Sequence, residues 1–107
     1  MSFNLVVWAW SEEYNTSERR RRLGVKYKDI TTGFAEKGDH PAMRAFDFQD
    51  FEAAVVELVG PETVDGPYIL EPYPKARCYN MPYSQALRLV PLIGTLARRF
   101  GLTSAEF

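Results

Sequence analysis

The chain has a single histidine and a single cysteine in 107 residues. One cysteine, Cys78, excludes an internal disulfide and fits a reducing compartment. With only His40, no paired-histidine metal site can form, and neither metal nor cofactor is expected. Net charge is −1, which removes any bulk pull toward nucleic acid or a membrane surface. No apolar run approaches the ~20 residues that a membrane helix needs. Met1-Ser2-Phe3-Asn4 offers no basic leader ahead of a cleavage site, so the cytoplasm is the expected location. Repeats and low-complexity tracts are also missing.

What is present reads as one domain over residues 1–107, with 46% apolar and 25% charged residues. A chain of this size buries roughly two-thirds of its unfolded surface, enough for a core without staples. Charge is segregated along it. Residues 1–18 carry −3, residues 19–28 carry +6, residues 29–73 carry −8 and residues 74–107 carry +4. A nearly neutral chain therefore presents strong local fields, suited to steering a charged partner.

Residues 3–10 read as a strand. Phe3, Leu5, Val7 and Ala9 alternate with Val6, Trp8 and Trp10, so both faces are apolar and both are expected to be covered. A short helix is expected over 17–23, capped by Thr16 or Ser17 and ended by Gly24. Residues 25–30 alternate and predict a strand, and 31–46, with Gly33, Gly38 and Pro41, an irregular loop.

A helix is predicted over 48–59. Asp47 caps it, Phe46 staples to Phe51, and Phe48, Phe51, Val55, Leu58 and Val59 form its apolar face. Gly60 and Pro61 stop it. Two short strands, 68–71 and 76–81, flank a proline-rich turn. The last helix runs from a Ser84 cap to Phe100, with Leu87, Val90, Leu96, Ala97 and Phe100 inward. Pro91 either kinks this helix or starts it. Gly101 and Leu102 fold back as its C-terminal cap. The fold class is α+β: an antiparallel sheet of about four strands with two main helices packed on it.

Chemistry-bearing residues are sparse. Asp39 beside His40 admits a proton-transfer pair in a small enzyme; a loop histidine is the plainer reading. Cys78 as a nucleophile needs a base that nothing places beside it, so it reads as a buried thiol. Arg19-Arg20-Arg21-Arg22 admits a phosphate contact, making a nucleic-acid-binding accessory protein an alternative; a solvated face balancing the acidic middle is the plainer reading. The acids from Asp29 to Glu71, Asp65 among them, are scattered with no compact metal-loop spacing. The most suggestive set joins aromatics to carboxylates: Trp10, Glu12, Glu13, Tyr14, Glu36, Asp39, Glu71 and Tyr73. Rigid aromatics beside charges are the composition of a recognition surface, so these eight are the expected partner-binding residues.

Three segments carry a resemblance: Phe3-Asn4-Leu5-Val6-Val7-Trp8, Pro82-Tyr83-Ser84 and Gly101-Leu102-Thr103-Ser104. With Phe3-Asn4 in place of Tyr-Asp, they resemble small bacterial immunity proteins encoded beside secreted toxins of competing bacteria. The resemblance implies a non-catalytic protein that binds a cognate toxin and occludes its active site. The shared positions make fold rather than interface, so no functional residue is carried over. Toxins that degrade nucleotides or nucleic acids have basic clefts, which the acidic loops here would match. No nucleic acid or membrane is expected as a partner.

Overall fold

The computed structural model describes residues 2–62 and 66–107; Asp65 lies outside them. The chain folds as α+β around one antiparallel sheet. Strand β1 (Ser2–Trp10) is followed by a 3-10 turn (Glu12–Tyr14), helices α1 (Ser17–Leu23) and α2 (Tyr27–Lys37), and strand β2 (Met43–Arg44). Helix α3 (Gln49–Val59), strands β3 (Ile69–Pro72) and β4 (Ala76–Pro82), helix α4 (Tyr83–Arg99) and strand β5 (Thr103–Glu106) complete it.

Strand β1 is central. Along one edge it pairs with β4, from Ser2↔Pro82 to Trp8↔Ala76, and β3 extends the sheet beyond β4. Along its other edge it pairs first with β5 (Leu5↔Glu106 to Trp8↔Thr103) and then with β2 (Trp10↔Met43). The two-sided apolar pattern of β1 is used as expected. Leu5, Val7 and Ala9 join Phe51, Val55, Leu89 and Ile93 in a core under α3 and α4. Val6 and Trp8 join Ile30, Phe34, Met43 and Cys78 in a second core under α2. Each large side chain fully buried in these layers contributes roughly 1.5–3 kcal/mol.

Several expectations are corrected. Residues 27–37 are helical, not a strand and a loop. Asp29 accepts the Lys26 backbone N–H (2.9 Å), and Ile30 and Phe34, four apart, both bury. The alternation over 25–30 reflects which residues are charged, not which face is covered. Helix α3 begins at Gln49; Asp47 accepts the Gln49 N–H (3.0 Å), while Phe46 meets Phe48 rather than Phe51. Leu58 is exposed, and Gly60 takes a positive φ of 96° with an extended ψ of 167°.

Helix α4 is continuous through Pro91, starting after Pro82 with no side-chain cap from Ser84. Pro91 sits on the exposed face, and the carbonyl it leaves unbonded, that of the exposed Leu87, is on the same side. Leu87, expected inside, is 91% exposed; the inward face is Ala86, Leu89, Ile93 and Ala97. The C-terminal cap forms as expected. Gly101 has φ 73°, its N–H reaches Arg98 O, and the Leu102 N–H reaches Ala97 O at 2.9 Å. This cap turns the chain directly into β5, which the sequence pattern did not announce.

Candidate functional site

Even-numbered residues of β1 and β4 face α2. Under the helix these are Val6, Trp8, Ala76 and Cys78, all buried. Beyond its C-terminal end the same face carries Asn4 and Asn80, which are register partners, and Asn80 Nδ2 donates to Asn4 Oδ1 at 2.7 Å. This uncovered stretch is the floor of an open cleft of about 600 Å³. Glu71, opposite Cys78 on the neighbouring strand, borders the floor. The last turn of α2 supplies Phe34 and Lys37, Gly38 and Asp39 follow directly after it, and Tyr73, Pro74 and Phe107 complete the walls.

Local sequence sets these walls. Tyr73 packs edge-on against Phe34 (4.7 Å between centroids), and Phe107 packs on Phe34 at 5.9 Å. Gly38 is required there twice over: its φ is +68°, and a Cβ would lie 3.1 Å from Tyr73 Cδ1. Arg77 fixes the turn from the opposite side of the sheet. Its Nη1 donates to Tyr73 O (2.7 Å) and Ala76 O (3.0 Å), its Nε pairs with Glu52, and its guanidinium lies 4.5 Å over Phe48.

Among the described residues, Glu71 has no ion-pair or hydrogen-bond partner. Burial first, and then the Glu71 charge, raise the pKa of the Tyr73 phenol and push the Cys78 thiol up to about 12. Cys78 is therefore neutral at physiological pH and 97% buried, the opposite of an activated nucleophile. Asp39 is engaged outward: Oδ2 lies 3.4 Å from Lys75 Nζ, and Oδ1 accepts the His40 N–H. The His40 ring meets other groups, since its Nδ1 accepts the N–H of buried Ala42 at 3.0 Å. That bond assigns the neutral tautomer with the proton on Nε2. The arrangement is suited to holding a ligand. An uncommitted carboxylate beside aromatic walls and amide groups accepts a cationic or multiply donating group.

Of the eight expected partner-binding residues, the fold brings Asp39, Glu71 and Tyr73 into this cleft and leaves Glu36 exposed on the adjoining turn of α2. Trp10, Glu12, Glu13 and Tyr14 lie elsewhere, where β1 runs out. There the indole of Trp10 meets Trp8 (5.1 Å) and Tyr27 (5.8 Å), and the Arg20 guanidinium lies 4.2 Å over it. Arg20 Nη1 also donates to Tyr14 O, and Arg19 Nη1 to Glu12 O, each at 2.6 Å. Two of the four consecutive arginines thus fold back on carbonyls of the 3-10 turn, and Arg22 pairs with Glu18 (3.0 Å). Trp10 is half-buried under the protein's own cation, while the Glu12 and Glu13 side chains face solvent.

The sequence reading missed Asn4, Asn80, Phe34, Gly38 and Phe107 as cleft residues. One signal was available: Asn4 is the only polar residue in Phe3–Trp10, so a gap in the cover over β1 was marked there. Among the described residues no group of three or more metal-ligating side chains converges, and no helix is long and apolar enough to cross a membrane. Compared with protein-family models, curated proteins and solved structures, the chain matches none.

Proposed function

We propose that this chain is a cytoplasmic immunity protein that binds a cognate toxin and blocks its active site by occlusion. The observation that carries the reading is the Glu71 carboxylate, unpaired among the described residues, in an open cleft that Tyr73 and Asp39 also line. A toxin that degrades nucleotides or nucleic acids must attract phosphate. Its active-site arginines and lysines are the natural occupants of such a cleft, and the Glu71 carboxylate stands where a substrate phosphate would. A stable complex buries about 800 Å² on each partner. That is about an eighth of the 6551 Å² surface here, an area that the cleft and the end of α2 can anchor.

The test is co-expression with the product of the neighbouring gene, followed by calorimetry on the purified pair. Wild type should protect the cell and bind. Glu71→Lys should weaken binding by roughly 100-fold, in the range for breaking a desolvated charge pair, while the circular dichroism stays unchanged. The reading is falsified if wild type neither binds nor protects, or if Glu71→Lys and Asp39→Lys protect as well as wild type.

A further inference from the structure

The two outer edges of the sheet are finished differently. On β3 the outward-facing positions are Leu70 and Pro72. The Leu70 N–H is bonded by the Glu62 carboxylate, and Pro72 has no N–H to offer. That edge is closed to further strands. On β5 the Phe107 N–H donates to Asn4 O at 3.0 Å, which fixes the phase of the ladder. Ala105 and Thr103 turn their backbone groups toward β1, so Ser104 and Glu106 turn theirs outward. Among the described residues nothing bonds them.

An apolar groove runs alongside this open edge. The Glu106 side chain borders it with Phe3, Tyr83, Leu87, Val90 and Pro91, around a volume of about 340 Å³. Leu87 is 91% exposed and Tyr83 61% exposed, and the Tyr83 ring stands edge-on to Phe3 at 5.9 Å. A bare strand edge continuous with an exposed apolar helix face is a surface built to be covered.

We infer that its occupant is a second copy of this chain, paired antiparallel through β5 about a two-fold axis at Ala105. An antiparallel edge is self-complementary under such an axis. With Ala105 on the axis, Ser104 of one copy faces Glu106 of the other, and each such pair exchanges two backbone hydrogen bonds. A hydroxyl, rather than a second carboxylate, then stands opposite each glutamate. Both α4 helices lie on the same side of the joined sheet, so the two grooves flank the seam. Glu106 is the one charged side chain of β5, so in this register no like charges stand opposite each other across the seam. The cleft floor is on the opposite face of the sheet, and the inference does not rest on the proposed function.

Sedimentation velocity from about 1 to 200 µM, spanning ordinary dimer affinities, tests it. Wild type should rise with concentration toward twice the 12.3 kDa chain mass. Ser104→Pro removes an N–H with no partner among the described residues, and Leu87→Glu changes a side chain already in solvent. Each should weaken the dimer by about tenfold or more, with an unchanged circular dichroism spectrum. If Ser104→Pro misfolds, Leu87→Glu alone decides. A wild type monomeric throughout, or a Leu87→Glu dimer as tight as wild type, overturns the inference.

Discussion

Replacing Gly33 with alanine sets two effects of similar size against each other. Gly33 lies in the interior of α2, where alanine is favoured over glycine by about 1 kcal/mol. A Cβ at that position would lie 2.9 Å from His40 Cδ2, too close for the ring to remain in place. The ring is held because its Nδ1 accepts the N–H of Ala42, a residue with no exposed surface. Pushing it aside strands that N–H at a cost of about 1–3 kcal/mol. The clash should win, and Gly33→Ala should destabilise by about 1 kcal/mol. In a His40→Ala background the obstacle is gone, so the same substitution should stabilise by about 1 kcal/mol. The cycle then carries a coupling of about 2 kcal/mol. Urea unfolding followed by the fluorescence of Trp8 and Trp10 reads all four proteins. A Gly33→Ala protein more stable than wild type, or additive effects, would refute the assignment of His40 as the reason for this glycine.

Burial holds the His40 pKa below its usual 6.5, against the smaller opposing pull of Asp39 and then Asp29. A depressed folded-state pKa means that the neutral ring is favoured by folding. The contribution is therefore complete above about pH 6.5 and is lost as pH falls through the folded value. The His40→Gln protein should lose this acid-side decline, and an NMR titration of wild type should give a midpoint below 6.5. Cys78, with its thiol pushed up to about 12, should resist a disulfide reagent at pH 8 in the native state and react at once in urea. Arg20→Met removes the cation over Trp10 and the donor to Tyr14 O, and should cost about 2 kcal/mol with a change in Trp emission. Arg21→Met, one residue along on the exposed side, should stay within about 0.5 kcal/mol of wild type.

How legible the fold was depended on whether a signal was local. The entire C-terminal cap of α4 could be read from Gly101-Leu102, because a left-handed residue followed by an apolar one needs no distant partner. The two-sided character of β1 was equally plain. Helix α2 was not, because its propensity is poor: Thr31, Thr32 and Gly33 sit mid-helix, and the glycine is there for a histidine seven residues away. Leu87 misled for a different reason. It lies one position off the inward stripe, a rotation of about 100° that only the docking of α4 on the sheet fixes. For the cleft, the residue types Glu71, Tyr73 and Asp39 were visible. Their convergence was not, because it depends on the register of β3 on β4 and on where α2 ends.

That last dependence explains why a cleft exists at all. Strand β1 has nine residues and extends about 30 Å. Helix α4, with seventeen residues, runs about 25 Å and shares the cover of one sheet face with α3. Helix α2, with eleven, runs about 16 Å, little more than half the length of β1. A sheet face left bare at one end must be polar there or bind something. Asn4 and Asn80 satisfy the first requirement by bonding to each other, and their second polar ends remain available. Gly38 ends the helix at the point where its next turn would have covered them, and the same glycine admits Tyr73 as a wall. Extending α2 would close the floor and displace Tyr73 together. The short helix, the asparagine pair and the glycine stop are therefore one arrangement, whose result is an uncovered stretch of sheet with the Glu71 carboxylate at its border.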